Sequence, residues 1–421
     1  MAQTGEYSFS RLPGHPVQEY LLMLIPNAGP FIFNLITAIF SVIATLVFGA
    51  ILRHLKINSW FIWSLVFASI PIVYISSIYT IDYIWALCFI LVSYFFLLKD
   101  KLIYAGLFLG LAIGCRITSG AVLPGFLWML NYKISKKSLT KGLVLSGLTI
   151  SVAAACYLPS FLRYGIAFFD TYRLPYPSLP KVIYKGTFGV WGLTGFVALI
   201  VLKLQQINKS GQKSISQISL NQYRGALLTI VLYSCAFIVL PQKSAFWLPA
   251  IPFILIALLR YELNARTTVI IATLFLISPF FGGVNLNNSD RGADPSFLSI
   301  SDEVAGQNVF FDVINGPLQI EQSRRKNRQK YVQNCLPAYY NLKGKNLVIC
   351  GWWTNQFIVN AQEKGLNNEA IIGEFYDEKQ LDSLVNKGFT LWYLNEIDQA
   401  NDERYGMKKT AKVSKQLLPV K

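Results

Sequence analysis

The chain has 421 residues, 53% of them hydrophobic and 14% charged, against roughly 45–50% and ~25% in soluble domains. Its mean hydropathy of +0.42 excludes an ordinary soluble class and requires several apolar segments in lipid. The formal charge of +16 would point to nucleic acid in a soluble protein. Here most cations of the apolar region lie in short loops, where they report membrane orientation, and no nucleic-acid partner is expected.

The first motif is Arg11-Leu12-Pro13-Gly14-His15-Pro16. Two prolines and a glycine in six residues cannot continue a helix, so the stretch is a fixed turn. The apolar run 17–25 after it, with Gln18 and Glu19 on its polar side, suits a helix at a membrane surface. Residues 1–29 form an N-terminal segment with this juxtamembrane helix, and residues 30–283 form a membrane domain of about ten helices. The spans expected are 30–52, 60–79, 83–98, 102–115, 120–132, 141–158, 188–203, 225–240, 245–259 and 267–283. The pair 102–115 and 120–132 is short for two crossings of ~30 Å. It reads as a shallow hairpin with its tip at Arg116 to Gly120.

One set of loops holds Arg53, Lys56, Lys99, Lys101, Lys133, Lys136, Lys137, Lys141, Lys203, Lys209, Lys213, Arg224, Arg260 and Arg266, or 14 cations. The opposite set holds Arg116, Arg163, Arg173, Lys181, Lys185 and Lys243, or 6. The richer side is cytoplasmic. Residues 1–29, the loop 159–187 and the tail after 283 are therefore expected outside. On that outer edge gather Arg11, His15, Glu19, Asp82, Arg116, Asp170, Arg173, Tyr176, Lys181, Lys185 and Lys243. Cations beside carboxylates suit a phosphate-bearing lipid, with a carboxylate to take a proton. Plainer readings stand beside this one. Asp82 is also a candidate helix N-cap, Lys181 and Lys185 are candidate headgroup contacts, and Arg116 is a candidate structural partner of Asp82.

These motifs resemble the GT-C superfamily of polytopic glycosyltransferases, in the bacterial branch related to protein mannosyltransferases and lipid A aminoarabinose transferase. Arg11 to Pro16 resembles the family's Arg-x-Pro-Gly-aromatic-Pro turn, with His15 in the aromatic place. Thr80-Ile81-Asp82 resembles its acidic span opening, and Gly106 to Ser119 with Leu123-Pro124 its Gly-rich hairpin and basic tip. The run from Lys243 to Pro252 is similar to its basic Leu-Pro-x-x-Pro segment. The resemblance covers most of 1–283. It implies sugar transfer from a polyprenyl-phosphate donor to a glycan, lipid or protein acceptor outside a bacterial inner or plasma membrane, amid membrane lipids. It implies Asp82 or Glu6 as catalytic residues, and Arg11, His15, Glu19, Arg116, Arg173 and Lys243 as substrate-binding residues. No cofactor is certain, and a divalent metal is left open. Family members cross the membrane once before presenting an acidic residue in the first outside loop. This chain starts ten residues before the turn with Glu6 as its one carboxylate there, so it is expected to be part of a longer reading frame that supplies that span. A lipid-sugar flippase would show inverted repeats, and none is visible. A non-catalytic membrane assembly protein is the other alternative.

The polar tail, 284–421, reads as a soluble α/β domain. It holds a basic helix over 318–332, strands at 346–350, 370–374 and 389–394, and helices at 355–364 and 378–387. This alternation predicts a small parallel sheet. The tail lacks a Gly-x-Gly-x-x-Gly loop, so no nucleotide site is indicated. Of the six cysteines, Cys88, Cys115, Cys156 and Cys235 lie in or beside apolar runs and read as packing residues. Cys335 and Cys350 lie in the tail, where a disulfide is left open.

Overall fold

Helix formation begins at a proline whose missing N–H the first turn does not need. It opens α1 (Pro16–Met23), and α2 (Gly29–His54) follows. The computed structural model describes residues 14–26, 28–130, 136–165, 176–208, 218–261, 263–286, 294–304, 307–362, 365–367, 369–374, 376–394 and 415–417. The chain is mostly helical and divides into two compact units. The first comprises 1–172, 177–286 and 295–318, and the second 173–176, 287–294 and 319–421.

In the first unit α3 (Trp60–Ser69) and α4 (Pro71–Ser77) replace the single expected span 60–79. Their axes differ by 69°. Pro71 disfavours a helical Ile70, which takes φ −56° and ψ 125°, and the helix breaks there. Next come α5 (Asp82–Leu98) and α6 (Leu102–Cys115), then a 3₁₀ turn over Ile117–Val122 and α7 (Leu123–Leu130). α8 (Lys136–Tyr164), α9 (Leu179–Gly186), α10 (Phe188–Asn208) and α11 (Leu220–Val239) follow. A second 3₁₀ turn, Ser244–Ala250, leads into α12 (Ile251–Leu258) and α13 (Ala265–Ile277). Among the described residues four helices are long and apolar enough to cross a membrane: α2, residues 138–164 of α8, α10 and α11. The bent pair α3–α4 makes up to five. The remaining expected spans are apolar helices of 10–17 residues, too short for ~30 Å unless the crossing is partial. The outward faces are apolar, with Phe31 at 75% and Leu46 at 68% exposure, which suits lipid.

Small residues set the packing. Gly106, Gly110 and Gly114 lie every fourth residue along α6 against α8, and a Cβ on Gly110 would stand 2.5 Å from that of Val152. Such spacing lets two backbones approach closely. Hydroxyls satisfy the facing carbonyls: Tyr157 Oη donates to Ile113 O (3.0 Å) and Tyr233 Oη to Thr118 O (2.9 Å).

The unit also carries a sheet that the sequence did not announce, with β1 (Gly283–Asn285), β2 (Ser299–Val304) and β3 (Gln307–Asp312) in antiparallel order β1-β3-β2. Asp312 closes it. Its carboxylate accepts from Ser296 N, Ser296 Oγ, Ile314 N and Asn315 N at 2.6–3.0 Å. Burial would raise this carboxyl, but those hydrogen bonds outweigh it and hold it below the ordinary value.

The unit boundary falls within α14 (Pro317–Tyr340), longer than the expected basic helix. The second unit then alternates β4 (Asn346–Ile349), α15 (Thr354–Gln362), β5 (Ala370–Gly373), α16 (Glu378–Asn386), β6 (Thr390–Leu394) and β7 (Lys415–Leu417). All pairings are parallel, in order β5-β4-β6-β7. Its core packs Val332, Leu336 and Tyr339 against Leu347, Val348, Ile349 and Phe357. Cys335 and Cys350 are both buried in that core with no disulfide between them.

Candidate functional site

Three distant segments of the first unit converge on Asp82. The carboxylate begins α5, but Ile81 is the N-cap and Asp82 makes no cap bond, so the N-cap reading is excluded. Instead Asp82 Oδ2 accepts from Arg116 Nη1 at 2.7 Å, with the two side chains 11% and 13% exposed. This is the pairing the plainer reading of Arg116 anticipated. Arg116 can reach it because α6 ends at Cys115 and Arg116 is extended, with φ −157° and ψ 113°. Its guanidinium lies 3.8 Å from the Tyr83 ring centroid and 5.0 Å from that of Phe246. These two aromatic faces strip water from the cation while offering it their negative quadrupoles.

His15 approaches from α1. Its Nδ1 lies 2.9 Å from the Cys115 carbonyl and 3.6 Å from Asp82 Oδ2. A carbonyl only accepts, so Nδ1 carries the proton and Nε2 keeps the lone pair in the neutral ring. Glu19 Oε2 accepts from His15 N at 3.1 Å and so fixes the first turn of α1. Gly114 makes this approach possible, since a Cβ there would stand 2.7 Å from Val17 Cγ2 and 2.8 Å from Cys156 Sγ. Gln18, expected on the polar side of this helix, is instead buried at 7% exposure. Gln18 Nε2 and Ser119 Oγ are buried without a hydrogen-bond partner among the described residues.

His15, Glu19, Asp82 and Arg116 are thus brought together. Lys243 is exposed at the start of the 3₁₀ turn whose Phe246 covers Arg116. Glu6, Arg11, Arg173 and Asp170 lie outside the described residues. Lys181 and Lys185 stand one turn apart on α9. Burial, and then the charge of Lys181, push the Lys185 ammonium down to about 8. Among the described residues no group of three or more His, Cys, Asp or Glu could hold a metal ion. The sequence reading missed Tyr83 and Phe246. Their signal was adjacency, one beside Asp82 and the other three residues after Lys243.

A scan against protein-family models, a search of curated proteins and a search of solved structures each returned no significant match to this chain.

Proposed function

We propose that this chain is a membrane glycosyltransferase of GT-C type, moving a sugar from a polyprenyl-phosphate donor to an extracytoplasmic acceptor. The observation that carries the reading is the convergence of the Pro-Gly-His-Pro turn, the acidic start of α5 and the basic hairpin tip on one charged cluster. The two orphaned polar atoms add to it, because each costs about 1–3 kcal/mol unless something polar meets it. In the reaction an acceptor oxygen attacks the anomeric carbon as the bond from that carbon to the phosphate oxygen breaks. The phosphate leaves with the electron pair, and Arg116 and Lys243 are suited to hold it. The acceptor's proton passes to a carboxylate, for which Asp82 is the candidate in the described cluster. Glu6 is the other.

One observation favours a second reading. Asp82 and Arg116 satisfy each other, as they would in a non-catalytic membrane assembly protein. Purified chain incubated with labelled polyprenyl-phosphate sugars separates the two. The transferase reading expects release of polyprenyl phosphate, abolished by Asp82→Asn with donor binding kept. Donor that is neither bound nor turned over by the wild-type chain would leave the assembly reading.

A further inference from the structure

An apolar groove of about 490 Å³ runs between α10, α11 and α12. Each helix gives it one face: Phe196, Leu199 and Ile200 from α10, Leu227 and Ile230 from α11, Ile254 from α12. With Ala257 and Leu258 beside Ile254, each helix contributes i, i+3 or i+4 neighbours, so the lining is continuous. The two ends differ. One is closed by Gly186, Trp191 and Trp247, none of them charged. The other is lined by Lys203, Gln206 and Tyr223, and among the described residues Lys203 is the one charged residue in the lining. Arg260 stands beside that end, with its guanidinium 4.6 Å from the Tyr223 ring centroid.

Length selects the occupant. From the kink at Gly192 (φ 67°, ψ 177°), next to Trp191, α10 runs about 16 Å to Lys203 at 1.5 Å per residue. That is little more than half of the ~30 Å hydrocarbon layer, the reach of one leaflet. A polyprenyl tail would overrun it. Charge selects the head. Lys203 lines one end of the groove, and Arg260 stands beside it. A zwitterionic headgroup gains little from such a rim, while an anionic one gains about 1 kcal/mol per cation near the surface.

We propose that this groove binds one acyl chain of an anionic phospholipid, with the headgroup phosphate at Lys203. The site depends on membrane embedding and not on transfer chemistry, and none of His15, Glu19, Asp82 and Arg116 lines it. The test uses the full chain in a neutral detergent. It is loaded with phosphatidylglycerol or with phosphatidylcholine of the same chains, washed, and the bound lipid is counted by native mass spectrometry. Phosphatidylglycerol should be retained about fivefold more tightly, and Lys203→Gln, an exposed substitution, should remove that difference while leaving helix content unchanged. Leu227→Trp should fill the groove and release both lipids, with the milder Leu227→Phe as its partner should the larger ring not fold. Equal retention of the two lipids, no effect of Lys203→Gln, or displacement of phosphatidylglycerol by added polyprenyl phosphate would overturn the assignment.

Discussion

Asp82 and Arg116 are 34 positions apart and meet at 2.7 Å. A pair so desolvated is expensive to break from one side, because the surviving charge stays buried. Asp82→Asn and Arg116→Gln should each lower stability by about 3–5 kcal/mol in thermal unfolding. The double variant should fall short of their sum by about 1–3 kcal/mol. Additive losses would show that the two charges do not act as a unit. Lys185 makes a different prediction. With its pKa lowered to about 8, roughly half of it is neutral at pH 8, whereas an ordinary lysine is under about 1% neutral there. Competitive acylation followed by peptide mapping should give Lys185 a labelling midpoint near that pH. An ordinary midpoint at Lys185 would deny its desolvation. The charged cluster was largely legible in the sequence, because Arg116 and Asp82 interrupt apolar runs. The tautomer of His15 was not, because it depends on a carbonyl 100 positions away.

At the scale of elements, glycine spacing does the positioning. Gly110→Val would set a branched side chain against Val152, where even a Cβ is too close. It should cost about 1–3 kcal/mol of stability by overpacking. Gly147→Val is the control, since nothing lies within 4 Å of its Cβ position. Equal effects of the two on the melting temperature would mean that α6 and α8 do not depend on close approach. The elements that the sequence did not reveal have identifiable reasons. The break at Ile70 hid inside unbroken hydropathy, although Pro71 marked it. The 3₁₀ turn Ser244–Ala250 lay inside an apolar run counted as span, with Pro249 as its sign. The strand Ser299–Val304 is short, polar and mostly exposed, so it lacks the alternation that reveals a half-buried strand. The parallel sheet was legible because β4 and β6 are apolar runs bounded by turns.

For the whole molecule, orientation is the prediction that reaches furthest. The ten-span reading of the sequence puts 14 loop cations on one side and 6 on the other, which predicts the C-terminal unit outside the cytoplasm. A reporter active only outside, fused after Lys421, should be active. A stable but silent fusion would reverse the placement of Asp82, Arg116 and Lys243 together.

An outside location would give the two thiols of the C-terminal core a history. Burial lifts the Cys350 thiol well above its ordinary value, so folded Cys350 offers almost no thiolate to an oxidant. The unfolded chain has no such shelter, and outside the cytoplasm it would meet oxidising conditions before Cys335 and Cys350 are enclosed. Maturation would then be a race between core closure and sulfur chemistry. Denatured chain refolded with oxidised glutathione should give a lower native yield than chain refolded with reduced glutathione. Cys335→Ala with Cys350→Ala should make the two yields equal, with Cys88, Cys115, Cys156 and Cys235 replaced by Ala in both chains.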